Sequence, residues 1–239
     1  MRNNNFNDYP IDRPNEAHLP VLLLLDVSGS MFEHDAIKKV ELAVNRFVDD
    51  ICKDPNAEEL VDICVVTFSG SPKVVHDWSG IREFKGITLT AAGGTNMSDA
   101  LSFANEKIKE RNGFYEDRGM EVRKPYLIIL TDGKGNDIDS IAAEIRQRTA
   151  DKKMLPWFMG VNEYDKETAA KITGGERVFE LVDEIGYDFT DFFRVLEVSI
   201  KAASATSPGA RVVIKDEENP LLEENCNLKV PDLNAWLNG

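Results

Sequence analysis

The chain alternates short apolar runs with longer amphipathic stretches, and this alternation constrains its fold more than any other feature. Residues 20–25 and 61–68 are almost purely apolar, as strands buried on both faces are. Between them, residues 36–53 place their apolar side chains on one stripe of a helix. Strands that alternate with helices build a mostly parallel sheet with helices on both faces. The sequence therefore predicts an α/β, doubly wound fold.

The same pattern continues along the chain and predicts six strands and five helices. The predicted strands are 20–25, 61–68, 73–78, 126–130, 155–161 and 177–181. The predicted helices are 36–53, 97–111, 137–149, 165–172 and 187–203. Only "SGSP" separates the second and third strands, and so short a connection permits only a hairpin. We therefore expect a mostly parallel six-stranded sheet with one antiparallel edge strand.

Composition divides the chain into three parts. We expect an N-terminal arm over residues 1–18, which are polar and rich in Asn and Pro, a folded domain over 19–205, and a linker with an acidic C-terminal tail over 206–239. The linker is predicted because "SATSPGA" has the small and helix-breaking residues typical of one.

The C-terminal tail combines acidic residues with a possible short helix. Val230, Leu233, Trp236 and Leu237 have the spacing of one apolar stripe on such a helix. Two interpretations stay open. The tail is either a docking or regulatory segment, one of whose glutamates occupies the site described below, or a terminal helix packed on the domain.

The charge balance and the cysteines restrict the classes of partner and compartment. The formal net charge is −14, which argues against binding to nucleic acid or to anionic lipid, since both need clustered Lys and Arg. The three cysteines are odd in number and form no C-x-x-C motif, which favours a reducing compartment. The first residues lack the apolar region of a signal peptide. We expect a cytoplasmic protein that binds neither nucleic acid nor membrane.

Three polar motifs fall where predicted strands end or a helix begins. "DVSGS" closes the first strand with Asp26, Ser28 and Ser30 at alternate positions, "GGTNM" carries Thr95 before the second main helix, and "LTDG" closes the fourth strand with Asp132. The carboxyl ends of parallel strands share one edge of the sheet, where ligands bind. These five residues converge there if the first and fourth strands are neighbours.

The five side chains form a coherent set of metal ligands. Two carboxylates and three hydroxyls are hard oxygen donors, which suit Mg²⁺ or Mn²⁺ and not Zn²⁺. If the hydroxyls bind directly and the acids act mainly through water, the metal keeps most of its charge. It then favours an anionic ligand from outside, and a carboxylate of a partner protein is the natural candidate.

Other interpretations of the same residues compete with a binding module. Ser, Thr and Asp also favour turns and helix caps, an explanation that is credible for each motif singly and poor for all three jointly. An enzyme with Asp26 as nucleophile in Mg²⁺-dependent phosphoryl transfer needs a second acid two positions later, where this chain has Ser28, a poor general acid at neutral pH. A structural domain with a dead site would not keep all five positions intact. We therefore predict a binding protein and not an enzyme.

With these motifs the sequence resembles a von Willebrand factor type A (VWA) domain over about residues 19–205. "DVSGS", Thr95 in "GGTNM" and Asp132 in "LTDG" match the metal-ion-dependent adhesion site (MIDAS) of that family. The resemblance implies that Ser28, Ser30 and Thr95 coordinate the metal, that the two aspartates act largely through water, and that an acidic residue of the partner completes the shell. One departure is Asn96, where relatives often carry a smaller or apolar residue.

Three longer segments resemble one branch of the family, the bacterial TerY-type proteins associated with tellurite resistance. They are "LPVLLLLDVSGSM", "PYLIILTDG" and "FFRVLEVSIKAAS". This second resemblance implies a role in a bacterial stress or defence system, with kinase-like or phosphatase-like partners.

Overall fold

The computed structural model describes residues 13, 15–131, 136–161, 164–180, 188–223, 226, 228 and 233–238. Its strands are β1 (Leu19–Asp26), β2 (Val61–Phe68), β3 (Pro72–Gly80), β4 (Tyr126–Thr131), β5 (Leu155–Gly160) and β6 (Val178–Glu180). Its α-helices are α1 (Ala36–Ile51), α2 (Pro55–Leu60), α3 (Met97–Glu116), α4 (Asp139–Ala150), α5 (Lys166–Thr173), α6 (Thr190–Ala205) and α7 (Leu233–Asn238). Short 3₁₀ helices cover Gly29–Asp35, Ile81–Glu83, Asp216–Glu218 and Pro220–Leu222.

The six strands form one sheet in the order β3-β2-β1-β4-β5-β6. Every neighbouring pair is parallel except β2 and β3, which are antiparallel. The predicted doubly wound, mostly parallel six-stranded fold with an antiparallel edge strand is therefore confirmed. The strand order reverses at β1, which pairs with β2 on one side and β4 on the other. The ends of β1 and β4 thus meet at the switch point where such sheets bind ligands.

Strand β1 contributes to two hydrophobic cores. All eight of its residues are buried, and successive side chains point to opposite faces of the sheet. Leu23 and Leu25 join the core that contains α1 and α6, whereas Leu22 and Leu24 join the core that contains α3 and α4. A strand that is apolar at every position is the sequence signature of burial on both faces.

Two helices differ from the prediction. Helix α3 continues to Glu116, five residues past its predicted end at 111, because Arg111 and Tyr115 are buried and the Arg111 Nε donates a hydrogen bond to the Tyr115 hydroxyl (2.9 Å). Helix α2 was not predicted. It starts at Pro55 behind the Asp54 side chain, which caps its first turn, and its six residues are too few to show a helical period.

The two edge strands are irregular or short. Strand β3 begins with Pro72, and its register with β2 shifts twice between Ile63 and Val66. Strand β6 has only three residues. No helix in the described part of the chain has the length and apolarity that a membrane crossing requires.

Packed structure extends beyond residues 19–205 on both sides. His18 is buried, and its Nδ1 lies 3.0 Å from the Asp62 carboxylate. At the other end, the Leu233, Trp236 and Leu237 side chains of α7 are buried in the core that contains α1 and α6. Helix α7 therefore packs on the sheet domain.

Two asparagines of α7 form hydrogen bonds with the backbone of the segment that follows α6, at residues 212 and 214. The Asn234 side chain accepts from the Ile214 N–H (2.7 Å) and donates to the Ile214 carbonyl (3.0 Å). Asn238 does the same with Val212, at 2.8 and 2.7 Å. Each amide thus satisfies a backbone donor and a backbone acceptor, as a neighbouring strand would.

Two described glutamates of the tail, Glu218 and Glu223, have partners within the chain. Glu223 forms a two-fold ion pair with the Arg194 guanidinium of α6, with both N–O distances at 2.5 Å. Glu218 lies 3.6 Å from the Lys215 ammonium. Glu224 and Val230 lie outside the described residues. The ion pair with Arg194 therefore competes with any binding of Glu223 at the candidate metal site.

Candidate metal-binding site

Asp26, the last residue of β1, is completely buried at the switch point. Its Oδ1 accepts a hydrogen bond from the Ser28 N–H (2.8 Å), and its Oδ2 accepts one from the Thr131 hydroxyl (2.6 Å). Thr131 is the last residue of β4 and is also completely buried. A buried carboxylate is costly without such donors. The ends of β1 and β4 therefore fix the orientation of both carboxylate oxygens.

Ser28 and Ser30 place two hydroxyls beside this carboxylate. Ser28 is buried and Ser30 partly exposed, and their Oγ atoms lie 3.0 Å apart. This separation suits a hydrogen bond. It also suits shared coordination of a metal ion. Neighbouring oxygen ligands of an octahedral Mg²⁺ ion, each about 2.1 Å from the metal, lie about 3.0 Å from each other. The two hydroxyls are therefore positioned to bind one ion together.

Two glycines let the loop before α3 approach the end of β1. The Gly29 N–H donates to the Gly93 carbonyl (3.0 Å), and Gly93 has a φ of 84°, which disfavours other residues. A Cβ on Gly93 would lie 3.3 Å from the Ser69 Oγ. The segment "GGTNM" is in this way held against the loops that follow β1 and β2.

Thr95 lies in this fastened loop, next to the residue that caps α3. The Asn96 N–H donates to the Ser69 carbonyl (2.7 Å), and the Asn96 Oδ1 accepts from the Asp99 N–H (3.3 Å). The capping function that could explain Thr95 structurally thus belongs to Asn96. Within the described part of the chain the partly exposed Thr95 hydroxyl makes no hydrogen bond. Thr95 therefore has no structural role among the described contacts.

Asp132 lies outside the described residues, so its part in the site stays a prediction. The described residues on either side connect to the rest of the site. Thr131 binds Asp26, and the Nδ2 of Asn136 donates to the Asn96 Oδ1 (2.9 Å). The Asn136 Oδ1 accepts from the Ser98 N–H (3.0 Å).

A cavity of about 300 Å³ opens next to this edge, between the loop after β1 and the start of β3. Hydroxyl groups line it, from Thr67, Ser69, Ser71, Thr88 and Thr90. Lys73 supplies a cation. The cavity therefore offers hydrogen-bonding groups and one positive charge to any molecule bound beside the site.

The structure therefore brings Asp26, Ser28 and Ser30 together and fastens the loop of Thr95 to them. Sequence reasoning missed Thr131, whose role follows only from the β1–β4 register, in which Leu25 faces Leu130. In the described part of the chain, no group of three or more His, Cys, Asp or Glu side chains could hold a metal ion. The described oxygen donors at this edge include the Asp26 carboxylate and the Ser28 and Ser30 hydroxyls.

Comparisons with known proteins support the family resemblance of the sequence. The family model of the von Willebrand factor type A domain matches residues 21–134. The chain is 30% identical over 140 residues to calcium-activated chloride channel regulator 1 of Equus caballus. That alignment covers 54% of this chain and 14% of the relative, so the chain spans about a seventh of the relative's length.

Solved structures show the same fold. One is a von Willebrand factor type A structure from Catenulispora acidiphila, with a TM-score of 0.58 and 16% identity over 78% of this chain and 43% of that chain. Another is proximal thread matrix protein 1 from the mussel byssus with a zinc-occupied MIDAS motif, with a TM-score of 0.54 and 19% identity over 82% of this chain and 47% of that chain. At such identities the likeness establishes the VWA fold of the chain.

Proposed function

We propose that this chain, with its VWA fold and its VWA sequence pattern over residues 21–134, is a metal-dependent protein-interaction module. Asp26, Ser28, Ser30, Thr95 and Asp132 hold one divalent cation, and an acidic residue of a partner protein completes its coordination. One observation carries the proposal: the buried Asp26 carboxylate is held from two sides next to two hydroxyls 3.0 Å apart.

The donor set fits a hard divalent cation. Asp26 places a carboxylate at the start of the loop that carries the two serine hydroxyls, and Thr131 and the Ser28 N–H hold that carboxylate in one orientation. The hydroxyls are neutral, so they leave most of the charge of a bound cation uncompensated. A cation held here supplies a coordination position that favours a carboxylate oxygen from outside. The hydroxyl-lined cavity beside Lys73 receives the neighbouring residues of the partner.

The metal is Mg²⁺ or Mn²⁺ in this proposal. The zinc in the mussel protein makes Zn²⁺ the competitor to measure against. Isothermal titration of metal-stripped protein with each of the three ions is expected to give one site of modest affinity for Mg²⁺ and Mn²⁺. The absence of binding at millimolar concentrations of both ions, with an unchanged circular dichroism spectrum, would contradict the site.

The phosphoryl-transfer alternative is disfavoured by the surroundings of Asp26. Phosphoryl transfer needs a general acid near the nucleophile, but the residue two positions after Asp26 is Ser28, a poor general acid at neutral pH. We therefore expect no hydrolysis of p-nitrophenyl phosphate with Mg²⁺ present. Turnover that disappears in Asp26→Asn would support the enzyme instead.

Affinity purification with and without EDTA tests the interaction itself. The chain is expected to capture a partner only when Mg²⁺ or Mn²⁺ is present. Asp26→Ala and Thr95→Ala are expected to abolish capture while the domain stays folded. Thr149→Ala, which removes the hydroxyl of a partly exposed threonine at the end of α4 and outside this cavity, serves as the matched control for Thr95. Capture that survives in EDTA would refute metal dependence.

The branch of the family, the compartment, the class of partner and the domain bounds are part of the same proposal. The resemblance of three segments to the TerY-type branch supports a cytoplasmic role in a bacterial stress or defence system. The net charge of −14 supports a protein partner over nucleic acid or membrane. We take residues 19–205 as the interaction module, 1–18 as its arm and 206–239 as its linker and tail. A kinase-like or phosphatase-like protein among the captured partners would support the branch.

A further inference from the structure

A second cavity lies at the opposite edge of the sheet, away from the candidate metal site. It has a volume of about 450 Å³ and is lined by the first residues of β1 and β4, Leu19 and Tyr126, and by the end of α7. Since a strand rises about 3.3 Å per residue, the length of β1 separates this edge from Asp26 by roughly 23 Å. The two sites are therefore distinct.

The cavity is cationic although the chain is strongly acidic. Its described lining includes Arg123, Lys124, Lys152 and Arg211 and no carboxylate, in a chain with 42 acidic and 28 basic residues. Burial lowers the pKa of Lys124, and the neighbouring charges of Lys152 and Arg177 lower it further. Positive charge is therefore concentrated at this place.

Arg123 is held in a fixed position within the lining. Its Nη2 donates to the carbonyls of Ser204 (2.9 Å) and Thr206 (3.1 Å), and its Nε donates to the Thr206 carbonyl (3.2 Å) at the end of α6. Its Nη1 is buried and has no hydrogen-bond partner in the described part of the chain. The guanidinium is thus a fixed cation in the wall of the cavity.

The rest of the lining is mainly apolar and includes some hydroxyl and amide side chains. Leu19, Ala203 and Leu237 are buried side chains that face the cavity, and Thr206 and Ser207 contribute hydroxyls. The volume falls within the range of small-molecule sites, about 300–1,000 Å³. A ligand that matches both features has an anionic head and a compact apolar body.

We propose that this cavity binds a small organic anion, a carboxylate or a phosphate monoester with an aromatic or short aliphatic body. The head lies among Lys124, Lys152 and Arg211, and the body lies against Leu19 and Leu237. The site is independent of the metal-dependent function proposed above.

Titration of the full chain with phenyl phosphate and phenylacetate, followed by nuclear magnetic resonance, tests the proposal. EDTA is present throughout, so that no metal at the other edge can take the anion. We expect saturable shifts of the backbone amides of Arg123, Lys124 and Tyr126, and of the non-proline residues of 206–212. The probe that binds more tightly identifies the preferred head group, phosphate or carboxylate. Benzyl alcohol tests the need for charge, and inorganic phosphate tests the need for an apolar body.

The double variant Lys152→Gln/Arg211→Gln is expected to weaken binding of the stronger probe at least about tenfold, because two charge-assisted contacts are lost. Both side chains are exposed, so the fold is retained. Lys85→Gln, an exposed lysine outside the cavity, is the matched control and is expected to change nothing. The proposal is overturned if neither probe shifts these amides at millimolar concentration, if benzyl alcohol or inorganic phosphate binds as well as the stronger probe, or if the double variant binds like the control.

Discussion

Thr131 shows how one hydroxyl can decide the geometry of a site. It ends β4 beside the end of β1, and its Oγ1 donates to the Asp26 Oδ2 at 2.6 Å, with both residues fully buried. A hydrogen bond between a neutral donor and a buried carboxylate is stronger than one between neutral groups. Thr131 therefore orients Asp26, and in the proposed metal site it is a positioning residue.

Replacing Thr131 with Val keeps the shape of the side chain and removes this donor. We expect Thr131→Val to lower the free energy of unfolding of the metal-free protein by about 1–3 kcal/mol, because a buried carboxylate oxygen loses a hydrogen bond. Metal affinity should fall as well, since one donor instead of two then holds the carboxylate. Urea unfolding and isothermal titration measure the two effects.

Thr88→Val is the control for this substitution, because Thr88 is exposed. It is expected to leave the unfolding free energy within about 0.5 kcal/mol of the wild-type value. Unchanged stability and unchanged metal affinity in Thr131→Val would show that the Asp26 orientation does not depend on this hydroxyl.

At the scale of elements, the hydrophobic pattern of the sequence predicts the strands and the long helices. It does not predict the features that depend on tertiary contacts. The apolar strands and the amphipathic stripe of α1 were visible because burial imposes a period on the residues. Helix α2 is too short for a period, and the last turn of α3 depends on the contact between Arg111 and Tyr115. In the candidate site, one motif predicts Asp26, Ser28 and Ser30, and the structure places them close together. The role of Thr131 required the pairing of two strands far apart in sequence.

Glu41 connects α1 to the segment that leads toward the candidate site. Its buried carboxylate binds the Lys38 ammonium and accepts the Leu89 N–H (2.8 Å). The hydrogen bond from Lys38, followed by that from Leu89, lowers the pKa of Glu41. A lowered pKa means that the folded state binds the proton more weakly than the unfolded state. The contribution to stability is therefore present above the ordinary carboxyl pKa and is lost as the pH falls through the lowered one.

We accordingly expect Glu41→Gln to be less stable than the wild type by about 1 kcal/mol at pH 7, and this difference to shrink between pH 5 and pH 3. Urea unfolding at a series of pH values measures it. Glu106→Gln is the matched control, because Glu106 pairs with Lys109 at the same spacing of three residues on an exposed surface. A difference that grows on acidification would contradict the argument.

At the scale of the whole molecule, β1 makes the two cores depend on each other. Leu23 and Leu24 are adjacent in sequence and are buried in different cores. Neither core can lose β1 without exposing apolar side chains of the other. The sheet domain should therefore unfold as one cooperative unit, although helices cover it on two sides.

The tryptophans provide a reporter for each core, since Trp78 lies in the core of α3 and Trp157 in that of α1. We expect Trp157→Phe/Trp236→Phe, which retains Trp78, and Trp78→Phe/Trp236→Phe, which retains Trp157, to unfold in urea in a single transition each. In each variant the midpoint from fluorescence should equal the midpoint from far-ultraviolet circular dichroism. A fluorescence midpoint that precedes the circular dichroism midpoint in one variant would show that its core opens alone.

The irregular edges of the sheet also limit how copies of this molecule can assemble. A regular edge strand invites another chain to add a strand of its own, which is the first step of sheet-mediated aggregation. Here Pro72 removes a donor at the start of β3, the register shifts interrupt its path, and β6 offers only three residues. Growth of the sheet from molecule to molecule is therefore disfavoured. We therefore expect copies of this molecule to contact each other through loops and helices and not by adding strands to the sheet.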